Sequence, residues 1–109
     1  MAPAADIRDL PPGSRWRSAV CDAEVVVVRA PAGPVSLRIG GAEVLASQGA
    51  RPDNARLDDA LANGTLLGKR YQDEVSGVEV LCTRSGRGTI TVDGRRATVL
   101  APKPLPASD

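Results

Sequence analysis

The side chains able to carry out chemistry are few in this 109-residue chain. It contains two cysteines, Cys21 and Cys82, and no histidine. Imidazole metal sites, histidine general bases and histidine-based triads are therefore excluded. The glycine clusters Gly40-Gly41 and Gly86-Arg87-Gly88 do not carry a strand into a helix, as a phosphate-binding loop would, and we predict that they form turns. The sequence thus predicts a protein that is not an enzyme, with no catalytic residues and no cofactor.

Two small groups of residues could still bind a ligand or react. Asp73, Ser76 and Asp93 could bring oxygen ligands together around a hard cation. The alternative, which we favour, is that the two carboxylates are solvated and stabilise their own turns. Cys21 could be a reactive thiol if Arg17 lowered its pKa, but a single cysteine is more often a small buried hydrophobic side chain. Two cysteines are also too few for a disulfide framework, so we expect free thiols.

Composition and charge indicate an ordinary small globular protein. A chain of this length forms one domain, and with one tryptophan, one tyrosine and no phenylalanine its core must be aliphatic. The 14 basic and 13 acidic residues are interspersed, so we expect no basic face for nucleic acid or for an anionic membrane. A local group of arginines (Arg84, Arg87, Arg95, Arg96) has no aromatic platform beside it and is predicted to be solvated. No signal peptide or membrane span is recognisable, which favours a cytoplasmic protein.

Short runs rich in valine, leucine, isoleucine and threonine, separated by turn residues, predict an all-β fold. We predict strands near 14–20, 24–30, 35–39, 43–46, 65–71, 78–84, 88–92 and 96–100. The run 25–28 is four valines and predicts a central strand that is buried on both faces. Asp93-Gly94 predicts a tight hairpin turn, and the segment 54–63 before Gly64 predicts one or two helical turns. Proline punctuates both ends, which predicts a flexible arm over 1–13, one compact domain over 14–101 and a tail over 102–109.

The chain also repeats in form at an offset of about 55 residues. Trp16 aligns with Tyr71, and the segment 24–29 aligns with 79–84. After a loop that is two residues longer in the first copy, 37–41 aligns with 90–94, and we align 44–46 with 99–101. This pattern predicts two similar β units, 14–46 and 69–101, packed about a pseudo-twofold axis.

Each copy resembles the desulforedoxin unit, a small rubredoxin-like module. That family has an aromatic residue, Cys-x-x-Cys-Gly, an apolar strand, a glycine-rich turn, a further strand and Cys-Cys-Gly, and the second copy follows this frame with Tyr71, Gly77, Glu79, Gly86, Gly88, Ile90 and Gly94. In the family four thiolates hold one tetrahedral iron. The corresponding positions here are Ser18, Cys21, Ile39, Gly40, Asp73, Ser76, Val92 and Asp93. Since one of the eight is a cysteine, the resemblance implies the fold and the symmetric pairing without the metal.

These observations favour a non-catalytic accessory or protein-binding module, whose partner is another protein such as a larger enzyme. Two alternatives stay open: a redox or metal-binding protein that completes a site at Cys21 with ligands from a second chain, and a protein that binds a small apolar ligand. Assembly with further copies of the chain is also compatible with the sequence. An accessory module should expose apolar residues such as Leu66 and Leu67, or an unpaired strand edge, to its partner.

Overall fold

The computed structural model describes residues 7–47 and 49–100. Within these residues the regular structure is β apart from one 3-10 turn (Asp59–Leu61), which confirms the predicted all-β class. None of the described helical structure is long and apolar enough to cross a membrane. The strands are β1 (Ile7–Arg8), β2 (Arg15–Arg17), β3 (Glu24–Arg29), β4 (Val35–Ile39), β5 (Ala42–Glu43), β6 (Leu45–Ala46), β7 (Arg70–Gln72), β8 (Glu79–Arg84), β9 (Ile90–Val92), β10 (Arg95–Arg96) and β11 (Thr98–Val99).

The strands form two antiparallel sheets. One sheet has six strands in the order β11-β7-β8-β3-β2-β6. The other has β4 and β9 at its centre, with β10 beside β9 and with both β1 and β5 along the other side of β4. Alternate residues of both sheets form an aliphatic core, against which Trp16 and Tyr71 pack without being fully buried. Its members are Leu10, Ala23, Val25, Val27, Val35, Leu37, Ile39, Val44, Val78, Val80, Ile90 and Val92.

The valine strand β3 is central, as predicted, but it is buried on one face only. It lies between β2 and β8, and Val25 and Val27 are buried in the core. Val26 is half-buried and Val28 is 46% exposed. The prediction of burial on both faces is therefore wrong, because the outer face of the six-stranded sheet carries no second layer among the described residues, and strand side chains alternate between faces.

Local turn chemistry follows the sequence closely. Asp93 and Gly94 have φ angles of 50° and 83°, and they join β9 to β10 with Val92 opposite Arg95. These positive φ values are those of a two-residue hairpin turn, which confirms the prediction. The segment 54–63 forms one 3-10 turn, where the Asp58 side chain accepts a hydrogen bond from the Ala60 N–H.

The strand pairings of the two halves match residue by residue. Trp16 lies opposite Val25 in β3, and Tyr71 lies opposite Val80 in β8, at an offset of 55. The central strands β3 and β8 pair symmetrically. Val26 lies opposite Leu81, its own equivalent at the offset of 55. The pair Val25–Cys82 becomes the pair Val27–Val80 when the two halves are exchanged. This is the pairing that two similar units around a twofold axis would form. The superposition of the two units in space stays a prediction.

Two details of the repeat differ from the alignment made on the sequence. The Trp16–Ala46 pair corresponds to Tyr71–Val99, so 44–46 match 97–99 and not 99–101. The loop before these strands is two residues longer in the first copy. The offset between equivalent positions is therefore two residues smaller after the loop than before it, up to the last strand.

The repeat also begins earlier than predicted. The Gly13 N–H donates to the Val27 carbonyl at 2.8 Å, and the Gly68 N–H donates to the Cys82 carbonyl at 2.9 Å, again at an offset of 55. Leu10 is fully buried and β1 pairs with β4. Residues 7–13, which the prolines predict to be part of an arm, thus belong to the folded domain, because Leu10 is a core residue. The backbone correspondence between the two halves therefore extends back at least to Gly13 and Gly68.

Candidate functional site

In the first copy, the positions that the resemblance assigns to metal ligands hold no cluster of ligands. Ser18 is buried, and its Oγ accepts hydrogen bonds from the Val20 and Cys21 N–H groups at 3.0 Å each. Ile39 belongs to the core. The Cys21 Sγ accepts a hydrogen bond from the Gly88 N–H at 3.4 Å. Cys21 therefore lies against the glycine turn of the second copy.

The segment between the copies closes this region. A Cβ atom added to Gly40 would lie 2.5 Å from Leu57 Cδ1 and 2.9 Å from Val20 Cγ2, so apolar side chains pack directly on this glycine. The Asp58 N–H also donates to the Gly40 carbonyl at 2.9 Å. The arginine that contacts Cys21 is Arg51, whose Nη2 donates to the Cys21 carbonyl at 2.7 Å. This contact is with the backbone and not with the thiol, so the effect on the thiol that the sequence suggests for Arg17 stays a prediction. The sequence did not indicate Arg51, because its approach to Cys21 depends on the path of the loop.

In the second copy the two carboxylates do converge, and they converge on an arginine. The Arg95 guanidinium donates to both oxygens of Asp73, at 3.0 and 2.8 Å. Its Nη2 also lies 3.7 Å from Asp93 Oδ2. Asp73 is 4% exposed, so the interpretation of solvated carboxylates is wrong for this residue. The Arg95 side chain is 39% exposed, so it faces solvent while it pairs with the buried carboxylate. Val92, the remaining position, is buried in the core.

The Arg95 hydrogen bonds dominate the electrostatics of this cluster. Together with the hydrogen bonds from Ser76, they lower the pKa of Asp73 to about 2, against the effect of burial. Asp93 reaches the first copy, since its Oδ1 accepts from the Ser36 N–H at 2.8 Å. The carboxylates are therefore engaged by donors of the chain itself. Within the described residues there is no group of three or more acidic or cysteine side chains arranged to hold a metal ion.

Cys82 lies away from these positions, on β8. Its Sγ donates to the Arg84 carbonyl at 3.1 Å, and burial raises the pKa of the thiol. A buried, protonated thiol is a poor nucleophile. Cys82 is therefore a core side chain.

A surface groove with a volume of about 450 Å³ lies beside the edge strand β11. Leu66 is 57% exposed and Val99 is 51% exposed, and both contribute to its wall. The Tyr71 hydroxyl accepts a hydrogen bond from the Leu66 N–H at 2.9 Å, which holds this wall in place. Lys69 is the charged residue of the lining, whose members are Asn63, Gly64, Leu66, Lys69, Tyr71, Val99 and Leu100.

The backbone of β11 is open along the groove. The Leu100 N–H donates to the Arg70 carbonyl at 2.8 Å, and hydrogen-bonded pairs alternate with non-bonded pairs in antiparallel strands. The N–H and C=O groups of Val99, opposite Tyr71, therefore point away from β7. No strand among the described residues pairs with that side of β11.

The corresponding edge of the first copy is closed by the chain itself. The Ala46 carbonyl, which matches that of Val99, accepts a hydrogen bond from the Gly49 N–H at 2.7 Å. The Trp16 ring, which matches the Tyr71 ring, is covered by the Arg8 guanidinium at 4.9 Å from its centroid. Sequence reasoning identified Leu66 but missed Val99. Val99 is recognisable only as the equivalent of Ala46, and the alignment of the sequence placed the last strand of the second copy two residues too late to show this.

Comparison with protein-family models, curated proteins and solved structures finds no match to this chain. The likeness to desulforedoxin units therefore stays a prediction from the sequence. The function is inferred from the geometry of the chain alone.

Proposed function

We propose that this protein is a non-catalytic binding module that holds an extended segment of a partner protein along β11. The observation that carries the proposal is the outer side of the Val99 backbone, which lies beside an apolar groove and pairs with no strand among residues 7–47 and 49–100. At the corresponding edge of the first copy, the Gly49 N–H donates to the Ala46 carbonyl. An exposed edge strand pairs readily with an added strand. Main-chain hydrogen bonds then supply affinity, and pockets for side chains supply specificity.

The lining of the groove defines the chemistry of the segment. One apolar side chain would pack on Leu66, Tyr71 and Val99, and burial of such a side chain is worth about 1.5–3 kcal/mol. Lys69 is the charged residue of the lining, so an acidic side chain next to the apolar one would be favoured. We therefore expect an extended segment that carries an apolar residue with a glutamate or aspartate nearby.

The residues that could carry chemistry support a role without catalysis. Asp73 and Asp93 are engaged with Arg95, and the Cys21 sulfur accepts a backbone hydrogen bond. None of these groups lines the groove. The groove and the reactive side chains are therefore separate features of the fold.

Selection from a displayed library of random peptides on the full-length protein tests the proposal. Val99→Pro removes an N–H that points away from β7, so no hydrogen bond to β7 is lost. Proline is tolerated at such positions of an edge strand. Leu66→Asp places a charge in the groove. The control is Val75→Asp, at an apolar residue that is 74% exposed and outside the lining.

We expect the selected peptides to share the apolar and acidic pair, and to bind both groove variants at least about tenfold more weakly than the wild type and the control, as loss of a hot-spot contact does. Equal binding by Val99→Pro would refute strand addition. Stabilisation of the protein by small apolar compounds, with no peptide selected, would favour the small-ligand alternative instead.

A further inference from the structure

The outer face of the six-stranded sheet collects arginine side chains. Val25, Val27 and Val80 point into the core, so the alternate positions of the same strands point outward. In the central row of this face, Arg15 lies opposite Val26 and Arg70 lies opposite Leu81. Val26 faces Leu81 across the middle of the sheet. The row is thus a half-buried apolar pair with an arginine at each end.

Two further rows flank this centre. Arg17 and Arg84 lie on either side of Glu24, and Arg29 lies opposite Glu79. A register shift at each end of the β3–β8 pairing interrupts the alternation, so that Arg84 and Arg29 share the outer face with the glutamates that they oppose. The face therefore carries five arginines and two glutamates, a net charge of +3. The whole chain has a net charge of +1, so all its other residues together have a net charge of −2. The sequence predicted no basic face, because signs alternate along the chain, but strand pairing brings these arginines together.

Among the described residues, ion pairs engage two of these five arginines. Arg70 pairs with Glu79 at 3.2 Å and Arg84 pairs with Glu24 at 3.5 Å. Within residues 7–47 and 49–100, no carboxylate lies within ion-pair distance of Arg15, Arg17 or Arg29. The Arg17 Nε is in addition buried without a hydrogen-bond partner. The face therefore has unused donors as well as excess positive charge.

We propose that this face docks an acidic surface of a partner protein, with apolar contacts at Val26 and Leu81. Charge complementarity with a mixed centre is typical of protein interfaces, where charged groups orient the partner and steer its approach. A single-stranded nucleic acid would require aromatic rings for its bases, and Trp16 and Tyr71 pack against the core on the opposite side. This surface shares no lining residue with the groove at β11, so the inference does not depend on the proposed function.

Binding of a 20-residue glutamate peptide to the full-length protein, at physiological salt, tests the inference. Arg15→Gln/Arg29→Gln removes two charges from the face, and Arg56→Gln/Arg87→Gln removes two exposed charges elsewhere, so both variants have the same net charge. We expect the face variant to bind about five- to tenfold more weakly and the control to stay within about twofold of the wild type. Affinity should fall as ionic strength rises.

Equal weakening of both variants would show that net charge alone attracts the peptide and would overturn the proposal. Tighter binding of a 20-base-pair DNA duplex, or of vesicles that contain phosphatidylserine, would overturn the choice of a protein partner. Circular dichroism and thermal melting of each variant establish that it is folded, and the single variant Arg29→Gln replaces the double variant if that one melts early.

Discussion

At the residue scale, the two copies use different side chains to accept the same backbone hydrogen bond. Ser18 and Asp73 match at an offset of 55, and each accepts a hydrogen bond from the N–H three residues later. Asp73 carries a charge that Ser18 does not, and Arg95 balances that charge. The matching residue in the first copy is Ala42, which can supply no cation. A buried carboxylate is stable only with a partner, so Asp73 depends on Arg95.

The ion pair predicts how stability depends on pH. The pKa of Asp73 is lowered to about 2 in the folded chain, mainly by the Arg95 hydrogen bonds, so folding favours the ionised carboxylate. This contribution is complete above about pH 4 and is lost as the pH falls toward 2. It amounts to about 1–2 kcal/mol, because Arg95 is 39% exposed and solvent weakens the pair. Urea unfolding at several pH values measures it.

Asp73→Asn is the matched variant for this measurement. Asparagine keeps a side-chain oxygen that can accept the Ser76 N–H, but it cannot ionise. We expect its unfolding free energy to be lower than that of the wild type at pH 7, with the difference closing between pH 4 and pH 2. A constant difference over that range would contradict the assignment of the lowered pKa.

The protein should contain no stoichiometric iron or zinc. A tetrahedral sulfur site requires four thiolates, and the first copy packs Leu57 and Val20 on Gly40, where the resemblance would place one of them. Metal analysis of the purified protein, and thermal melting with and without a chelator, provide the measurement. Cys21→Ser should change neither metal content nor spectrum and should cost less than about 1 kcal/mol. One bound metal per chain, lost on chelation together with the fold, would favour the redox alternative.

At the scale of the elements, glycines allow the two copies to approach closely. Gly86 pairs with Thr65 and faces Ala23 and Cys21 of the first copy, and Gly88 packs on Gly40. A Cβ atom on Gly86 would lie 2.3 Å from the Ala23 nitrogen, a backbone atom that cannot rotate away. The glycine cluster 86–88 is therefore a packing element of the interface between the copies, in addition to being a turn.

Gly86→Ala should consequently destabilise the protein by about 1–3 kcal/mol, as overpacking does. Gly33→Ala is the control, because no atom lies within 4 Å of a Cβ atom there and its φ angle is not in the left-handed region. We expect the control to be neutral or slightly stabilising, since alanine reduces the entropy of the unfolded chain. Equal unfolding free energies for the two variants would contradict the close packing at Gly86.

At the scale of the whole molecule, the two copies have the same strand pairing at the centre of the six-stranded sheet and different structures at its two edges. The central strands β3 and β8 have the same burial pattern, and their register is related by the offset of 55. The edges differ, because the chain closes the edge at Ala46 and leaves the one at Val99 open among the described residues. The shared centre provides stability, and the differing periphery is where we place partner binding.

An experimental structure should show that 7–47 and 62–100 superpose as one fold, apart from the loop that is two residues longer in the first copy. The physical reason is that equivalent apolar positions and equivalent backbone hydrogen bonds recur in the same order. Hydrogen exchange offers an independent check. Amides of β3 and β8 should exchange slowest and that of Val99 fastest, because the former lie at the centre of the sheet and the latter is open. Segments without a common fold would end the interpretation as a repeat.

The sequence by itself determined the class of fold and most of its local structure. The valine run at 25–28, the Asp93-Gly94 turn and the offset of 55 are read from residue types and spacing, because strand propensity and turn geometry act over a few neighbouring residues. The tertiary structure decided what those strands bring together. Three features depend on the register between strands distant in the chain. They are the convergence of Arg95 on Asp73, the edge at Val99 that no described strand covers, and the arginine face on the six-stranded sheet. A shift of one residue would turn each side chain to the other face, and no local pattern specifies that choice.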